Sequence, residues 1–98
     1  MLLTVGLNHK TAPVDIRERL AFGPDIIVAA MRGLHEKVGV SECIILSTCN
    51  RTEIYCAVDE EKSTHIEGWL IDFHGLEARQ VSPYLYRHED KEAVQHLM

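Results

Sequence analysis

The fold of this chain is decided by one stretch, Glu42-Cys43-Ile44-Ile45-Leu46-Ser47-Thr48-Cys49-Asn50-Arg51-Thr52-Glu53-Ile54-Tyr55-Cys56-Ala57-Val58. Its first part, Glu42 to Thr48, is rich in Ile and Leu and predicts a strand. In its second part, Thr52 to Val58, apolar side chains alternate along one face, which predicts a second strand. The short polar link around Cys49-Asn50-Arg51 predicts that the two strands form a hairpin.

The segments on either side of this hairpin complete a recognisable order. A short apolar run from Leu2 to Leu7 predicts a strand, and apolar residues at helical spacing from Ile27 to Val38 predict a helix. After the hairpin, a second amphipathic helix is predicted from Ile66 to Phe73, then a strand from Tyr84 to His88 and a last helix starting at Asp90. The order indicates an α+β, ferredoxin-like split β-α-β fold, with an antiparallel sheet and helices on one face.

Topology then suggests which residues meet. We expect the first and third strands to be parallel, which places the Cys49 hairpin at the start of the first strand. The last helix, which carries His96, is expected to begin at that same edge, while Asn8 and His9 leave the sheet at the other. A cysteine with a nearby histidine is a workable pair for nucleophilic attack and proton transfer.

Composition limits the classes of function. The chain has 98 residues, 46% hydrophobic and 26% charged, which suits one soluble globular domain spanning residues 1–98. A net charge of −5 argues against a domain that grips a nucleic-acid backbone alone. No apolar run approaches the roughly 20 residues of a membrane span, and the N-terminus lacks the features of a signal peptide, so we expect a cytosolic protein. Three cysteines without a Cys-x-x-Cys pair argue against disulfides and against a thiolate metal site.

Cys49 is the residue with the clearest chemical potential. It lies near a loop tip, whereas Cys43 and Cys56 lie inside strands and are expected to pack in the core. A reachable thiol becomes a nucleophile when positive charge stabilises its thiolate, and Arg51 follows two residues later. The alternative interpretation is a polar hairpin turn that contains an ordinary cysteine. For His96 the alternative is a histidine on a helix surface.

Three segments resemble the glutamyl-tRNA reductases. The first is Gly6-Leu7-Asn8-His9-Lys10-Thr11-Ala12-Pro13, followed by Arg17-Glu18-Arg19, which is similar to the opening of that family. The second, Ser47 to Tyr55, resembles the family's nucleophile motif. The third, Asp90 to Met98, resembles the stretch that follows it. The likeness is collinear and runs along the whole chain, so we interpret the chain as the N-terminal catalytic domain.

The resemblance implies a reaction and a set of site residues. Cys49 would attack the ester of glutamyl-tRNA to give a thioester, which the full enzyme reduces with NADPH to glutamate-1-semialdehyde for tetrapyrrole synthesis. Thr48, Cys49, Asn50 and Arg51 would contact the glutamyl group, with Arg51 on its carboxylate, and His96 would donate a proton to the departing ribose oxygen.

The resemblance also implies what other parts of a longer protein supply. NADPH is expected to bind a domain absent from this chain, and a further absent domain is expected to form a homodimer. The last helix has no stop signal before Met98, so we expect a longer protein. By itself the chain is expected to act at most as a weak glutamyl-tRNA esterase.

Two other functions fit a ferredoxin-like scaffold, because this fold hosts many functions. One is a non-catalytic module that binds a small molecule or regulates another protein. The other is a protein-interaction domain that uses an acidic face. Rapid, stoichiometric alkylation of Cys49 at neutral pH would favour the enzyme over both.

Overall fold

The predicted hairpin forms two neighbouring strands of the sheet, one of them at its edge. The computed structural model describes residues 1–97, apart from the side chain of Leu97; that side chain and Met98, both within the C-terminal motif, lie outside the described residues. Strands β2 (Glu42–Ser47) and β3 (Arg51–Ala57) pair antiparallel, with Ser47 opposite Thr52. Ile45 and Ile54 lie opposite each other and are buried, because alternate side chains of a strand face the same side.

Four strands make one antiparallel sheet in the order β2-β3-β1-β4, where β1 is Leu2–Asn8 and β4 is Tyr86–Glu89. The predicted fold class is confirmed. The expectation that the first and third strands are parallel is wrong, since β1 and β3 pair antiparallel with Asn8 opposite Arg51. The crossover from β1 to β2 through a helix makes those two strands parallel, and the hairpin then reverses β3.

This correction changes which loops are neighbours. The turn that carries Cys49 lies beside the loop that leaves β1 at Asn8, and not at the start of β1. The β4 strand also runs antiparallel to β1, with Gly6 opposite Tyr86 and Leu3 opposite Glu89. The last helix therefore begins at the far edge of the sheet from Cys49.

One face of the sheet is covered by helices. They are α1 (Val14–Arg19), α2 (Ile27–Gly33, continued by a π-helical turn over Leu34–Val38), α3 (Glu60–Ser63), α4 (Ile66–Phe73) and α5 (Ala78–Val81). Buried residues of α1, α2, α4 and α5 join those of the strands in one core. Within residues 1–97, no helix has both the length and the apolar character that crossing a membrane requires.

The last helix, α6 (Lys91–Leu97), lies over the opposite face, where its His96 contacts Glu53. The expectation that the helices lie on one face is therefore wrong for α6. Asp90 fastens its start to β1: the Asp90 amide donates to the Leu2 carbonyl at 2.7 Å, and the Leu2 amide donates to Asp90 Oδ1 at 3.1 Å. Asp90 has a φ of 50°, a left-handed conformation that Asp tolerates better than most residues. From there the helix runs roughly 10 Å back along the sheet, which brings His96 to the middle of β3.

Candidate active site

The four predicted substrate-contact residues lie in one tight turn. The amide of Thr48 donates to the carbonyl of Arg51 at 2.8 Å, which closes the turn between β2 and β3. The Thr48 hydroxyl oxygen accepts hydrogen bonds from the amides of Asn50 and Arg51, both at 3.2 Å. Such a local side-chain bond makes the turn rigid. Cys49 is exposed at its tip, where a substrate can reach the sulfur.

Cys49 differs from the two other thiols of the chain. Cys56 is buried and Cys43 is partly buried, both within strands. Burial raises the pKa of Cys43, and burial together with neighbouring charges raises the pKa of Cys56 to about 11. Because the thiolate is the reactive form, these two cysteines are poor nucleophiles at neutral pH, and Cys49 is the accessible thiol.

Arg51 connects the turn to the interior of the sheet. Its side chain is 46% exposed, and its Nη1 lies 3.4 Å from Oε1 of Glu53. The two residues are separated by one position in β3, so they share the face opposite the main core. One nitrogen of the guanidinium is thus paired with a buried carboxylate, while the side chain as a whole remains partly exposed.

Glu53 is a fully buried carboxylate. The Tyr55 hydroxyl donates to its Oε1 at 2.8 Å and the Tyr86 hydroxyl to its Oε2 at 2.5 Å. His96 contacts the same Oε2 through Nε2. A carboxylate can only accept hydrogen bonds when ionised, so Nε2 of His96 carries the hydrogen and Nδ1 is left for another partner.

A glycine makes room for this carboxylate. Gly6 lies directly opposite Glu53 in the register of β1 and β3. A Cβ atom at position 6 would lie 2.9 Å from Cγ of Glu53 and 2.3 Å from the backbone oxygen of Thr52. Real Cβ atoms do not approach that closely, so any other residue at Gly6 would displace Glu53 or the strand.

The hydrogen bonds decide the ionisation of Glu53. Burial alone raises the pKa of this carboxyl, but the hydrogen bonds from Tyr86, Tyr55 and His96 outweigh burial and leave the pKa below its usual value. The same contacts act oppositely on the tyrosines. Burial and the bond to Glu53 raise the pKa of Tyr55 to about 12, and they raise that of Tyr86 as well. Glu53 is therefore an anion, and both tyrosines are neutral donors.

His96 reaches the site by a route different from the predicted one. Its helix starts at the far edge of the sheet, and only its last turn lies over Glu53. Its ring stacks on that of His88 with centroids 4.6 Å apart and also packs against Tyr86. Within residues 1–97 no hydrogen bond joins His96 to Cys49; the connection runs through Glu53 and Arg51.

The sequence reasoning missed the central role of Glu53 and of its two tyrosine partners. Glu53 and Tyr55 stood in the motif, but alternation places them on the face expected to meet solvent. One signal was available: a charged residue in the middle of a strand, two positions from an arginine. Tyr86 carries no local signal, because its contact with Glu53 spans 33 residues.

Comparisons with known proteins agree on one family. The family model described as "Glutamyl-tRNAGlu reductase, N-terminal domain" matches residues 5–98. The chain is 50% identical over 97 residues to the glutamyl-tRNA reductase of Shewanella oneidensis and 43% identical to that of Pseudoalteromonas translucida. Both alignments cover 99% of this chain and 23% of the relative, so the chain spans about a quarter of their length.

The fold is also similar to a solved structure. It superposes on the glutamyl-tRNA reductase of Methanopyrus kandleri with a TM-score of 0.74 and 28% sequence identity. The superposition covers 98% of this chain and 21% of that one. Sequence and structure therefore both align this chain with a fifth to a quarter of the length of glutamyl-tRNA reductases.

Proposed function

The chain belongs to the family of glutamyl-tRNA reductase N-terminal domains, and we propose that residues 1–98 form the catalytic domain that holds the glutamyl end of glutamyl-tRNA, with Cys49 as nucleophile. One observation carries the proposal. The exposed thiol stands on a rigid turn beside Arg51, which is anchored on a fully buried carboxylate. A nucleophile and a carboxylate-binding cation are thereby fixed relative to each other.

The first chemical step follows from this arrangement. The thiol of Cys49 releases its proton to solvent and its sulfur attacks the ester carbonyl carbon. The bond to the tRNA ribose oxygen breaks, and a glutamyl thioester remains on the protein. The ribose oxygen leaves with a proton, for which we propose His96 as donor. In this step His96 carries a hydrogen on both ring nitrogens: Nε2 is held by Glu53, and Nδ1 gives its proton to the ribose oxygen.

Arg51 is proposed to bind the side-chain carboxylate of the glutamyl group. Its guanidinium can grip a carboxylate with two parallel hydrogen bonds. Its Nη1 forms an ion pair with Glu53 at 3.4 Å, and the side chain is still 46% exposed, so a substrate carboxylate can reach the guanidinium. Asn50, exposed in the same turn, and the Thr48 hydroxyl, which retains its own hydrogen, are proposed to contact the remaining polar atoms of the substrate.

The second half of the reaction is assigned to the rest of the longer protein. The sequence has no Gly-x-Gly-x-x-Gly segment, which a dinucleotide-binding turn typically carries. The residues present do not fit NADPH, and we place its binding, the reduction to glutamate-1-semialdehyde and homodimer formation outside this chain. The cytosol remains the proposed compartment.

A trapping experiment tests the proposal. The chain is incubated with glutamyl-labelled glutamyl-tRNA, quenched with acid and mapped by mass spectrometry. We expect a glutamyl adduct on Cys49 and none in Cys49→Ser, with Cys43→Ser as the matched control that still forms the adduct. Absence of an adduct from the wild-type chain, or an adduct that survives in Cys49→Ser, would overturn the assignment.

A further inference from the structure

The loop after β1 is fixed by its own side chains. Asn8 Oδ1 accepts hydrogen bonds from the amides of Lys10 at 2.9 Å and Thr11 at 3.1 Å. The amide of Asn8 in turn donates to the Thr11 hydroxyl at 3.0 Å. These bonds satisfy the loop internally and give it one conformation. Because β1 and β3 are antiparallel, this loop lies beside the turn that carries Cys49.

Arg17 joins this loop to that turn. Its Nη1 donates to the carbonyl of Ala12 at 2.8 Å, and its Nε donates to the carbonyl of Cys49 at 3.4 Å. Arg17 belongs to α1, and the buried Ile16 attaches this helix to the core, so the backbone of Arg17 is held in place. One side chain thus contacts both loops at the site, and the Cys49 contact spans 32 residues.

We propose that Arg17 is a positioning residue for the nucleophile, and the inference rests on the proposed function. Strand pairing holds the base of the turn, with Ser47 opposite Thr52, and Thr48 closes the turn within itself, but neither attaches its tip at Cys49 to the rest of the domain. The Arg17 fork supplies that attachment at the backbone of Cys49 itself. Attack on an ester needs the sulfur within roughly 3–3.5 Å of the carbonyl carbon, and a displacement of about 1 Å can cost roughly 100-fold in rate.

Two substitutions separate the fork from its charge. Arg17→Lys keeps the positive charge, but a single ammonium cannot reproduce the fixed fork that spans two carbonyls. Arg17→Gln removes both. Arg19, exposed on the same helix, gives the matched control Arg19→Lys, which changes an arginine without touching either loop.

The test measures the single-turnover rate of Cys49 acylation by glutamyl-tRNA and the tRNA concentration that gives half of the maximal rate. We expect Arg17→Lys and Arg17→Gln to lower the maximal rate by about 10- to 100-fold, with little change in the half-saturating concentration. Arg19→Lys should match the wild type. Alkylation of Cys49 by iodoacetamide should change less than about threefold, because a small reagent needs no fixed geometry.

Two further measurements distinguish an effect on the position of Cys49 from an effect of charge or of folding. Hydrogen exchange at the amides of Asn50 and Arg51 should be faster in Arg17→Lys than in Arg19→Lys, at a melting temperature close to the wild type. If Arg17→Lys is acylated at the wild-type rate, the positive charge alone is sufficient, and the inference is overturned. A wild-type chain that forms no adduct would instead refute the proposed function.

Discussion

Replacing Glu53 by Gln tests whether the buried carboxylate stabilises the packing of α6 and β4 on the face of the sheet opposite the main core. Three side chains donate to the ionised group, from Tyr55, Tyr86 and His96. Hydrogen bonds to a charged group each contribute about 1.5–3 kcal/mol. Gln keeps the shape and one acceptor oxygen, so we expect one bond to be lost and the others to lose their charge assistance.

The resulting loss in the free energy of unfolding is about 2–4 kcal/mol at neutral pH. A domain of this size is stable by roughly 5–15 kcal/mol, so the variant should still fold. Urea unfolding can be followed by the fluorescence of Trp69, which is the single tryptophan, 9% exposed and packed in the main core away from Glu53. Glu42→Gln, at an exposed glutamate of β2, is the control and should change stability by less than about 0.5 kcal/mol.

The pH dependence has a definite sign. The pKa of Glu53 is lower in the folded chain than its ordinary value of 4.5. Its contribution is therefore complete above pH 4.5 and is lost as the pH falls through the folded value. The difference in the free energy of unfolding between wild type and Glu53→Gln should be constant from about pH 6 to 8 and should become smaller in acid. A gap below about 0.5 kcal/mol at pH 7, or one that widens in acid, would refute the reasoning.

Three further substitutions test the site. Cys49→Ser should abolish the glutamyl adduct and leave the urea midpoint unchanged, because an exposed turn residue contributes little packing; Cys56 should resist alkylation until the chain unfolds. Arg51→Lys should weaken discrimination of glutamyl from glutaminyl esters by roughly 1–3 kcal/mol, measured as the ratio of acylation rates, because the bidentate fork is lost. Gly6→Ala should destabilise the chain by about 3 kcal/mol or more in urea unfolding, since the new Cβ meets the Thr52 backbone oxygen at 2.3 Å.

Each of these has a clear contrary result. Alkylation of Cys56 ahead of Cys49 in the folded chain would reject Cys49 as the reactive thiol. If the ratio of the acylation rates for the two esters is the same in Arg51→Lys as in the wild type, Arg51 does not bind the substrate carboxylate. A Gly6→Ala variant as stable as the wild type would mean that the strand yields at this point; Gly68→Ala, where nothing lies within 4 Å of a new Cβ, is its control.

The local sequence determined the hairpin and the element order. Alternation in Thr52 to Val58 and the polar link around Cys49 are properties of neighbouring residues, and β3 and its turn formed where they indicated. The grouping of Thr48 to Arg51 in one turn followed from the same link. The proposed roles of these residues remain predictions, because no contact with a substrate tests them.

Only the tertiary structure decided which ends of the strands meet. Apolar periodicity is the same for a parallel and an antiparallel strand, so it could not show that Asn8 pairs with Arg51. That pairing placed the loop after β1, and with it Arg17, beside Cys49. It also placed the Cys49 turn at the opposite end of the sheet from the start of the last helix.

The buried carboxylate shows the same division. The sequence by itself determined that Glu53 lies on the face of β3 away from the main core, because side chains of a strand alternate. The sequence could not determine that Glu53 is buried on this face, because its contacts there are with Tyr86 and His96, which are 33 and 43 residues away along the chain. The pattern of residues along a strand determines which face of the sheet each side chain is on. Whether that face is buried depends on elements distant in the sequence, which only the folded structure brings together.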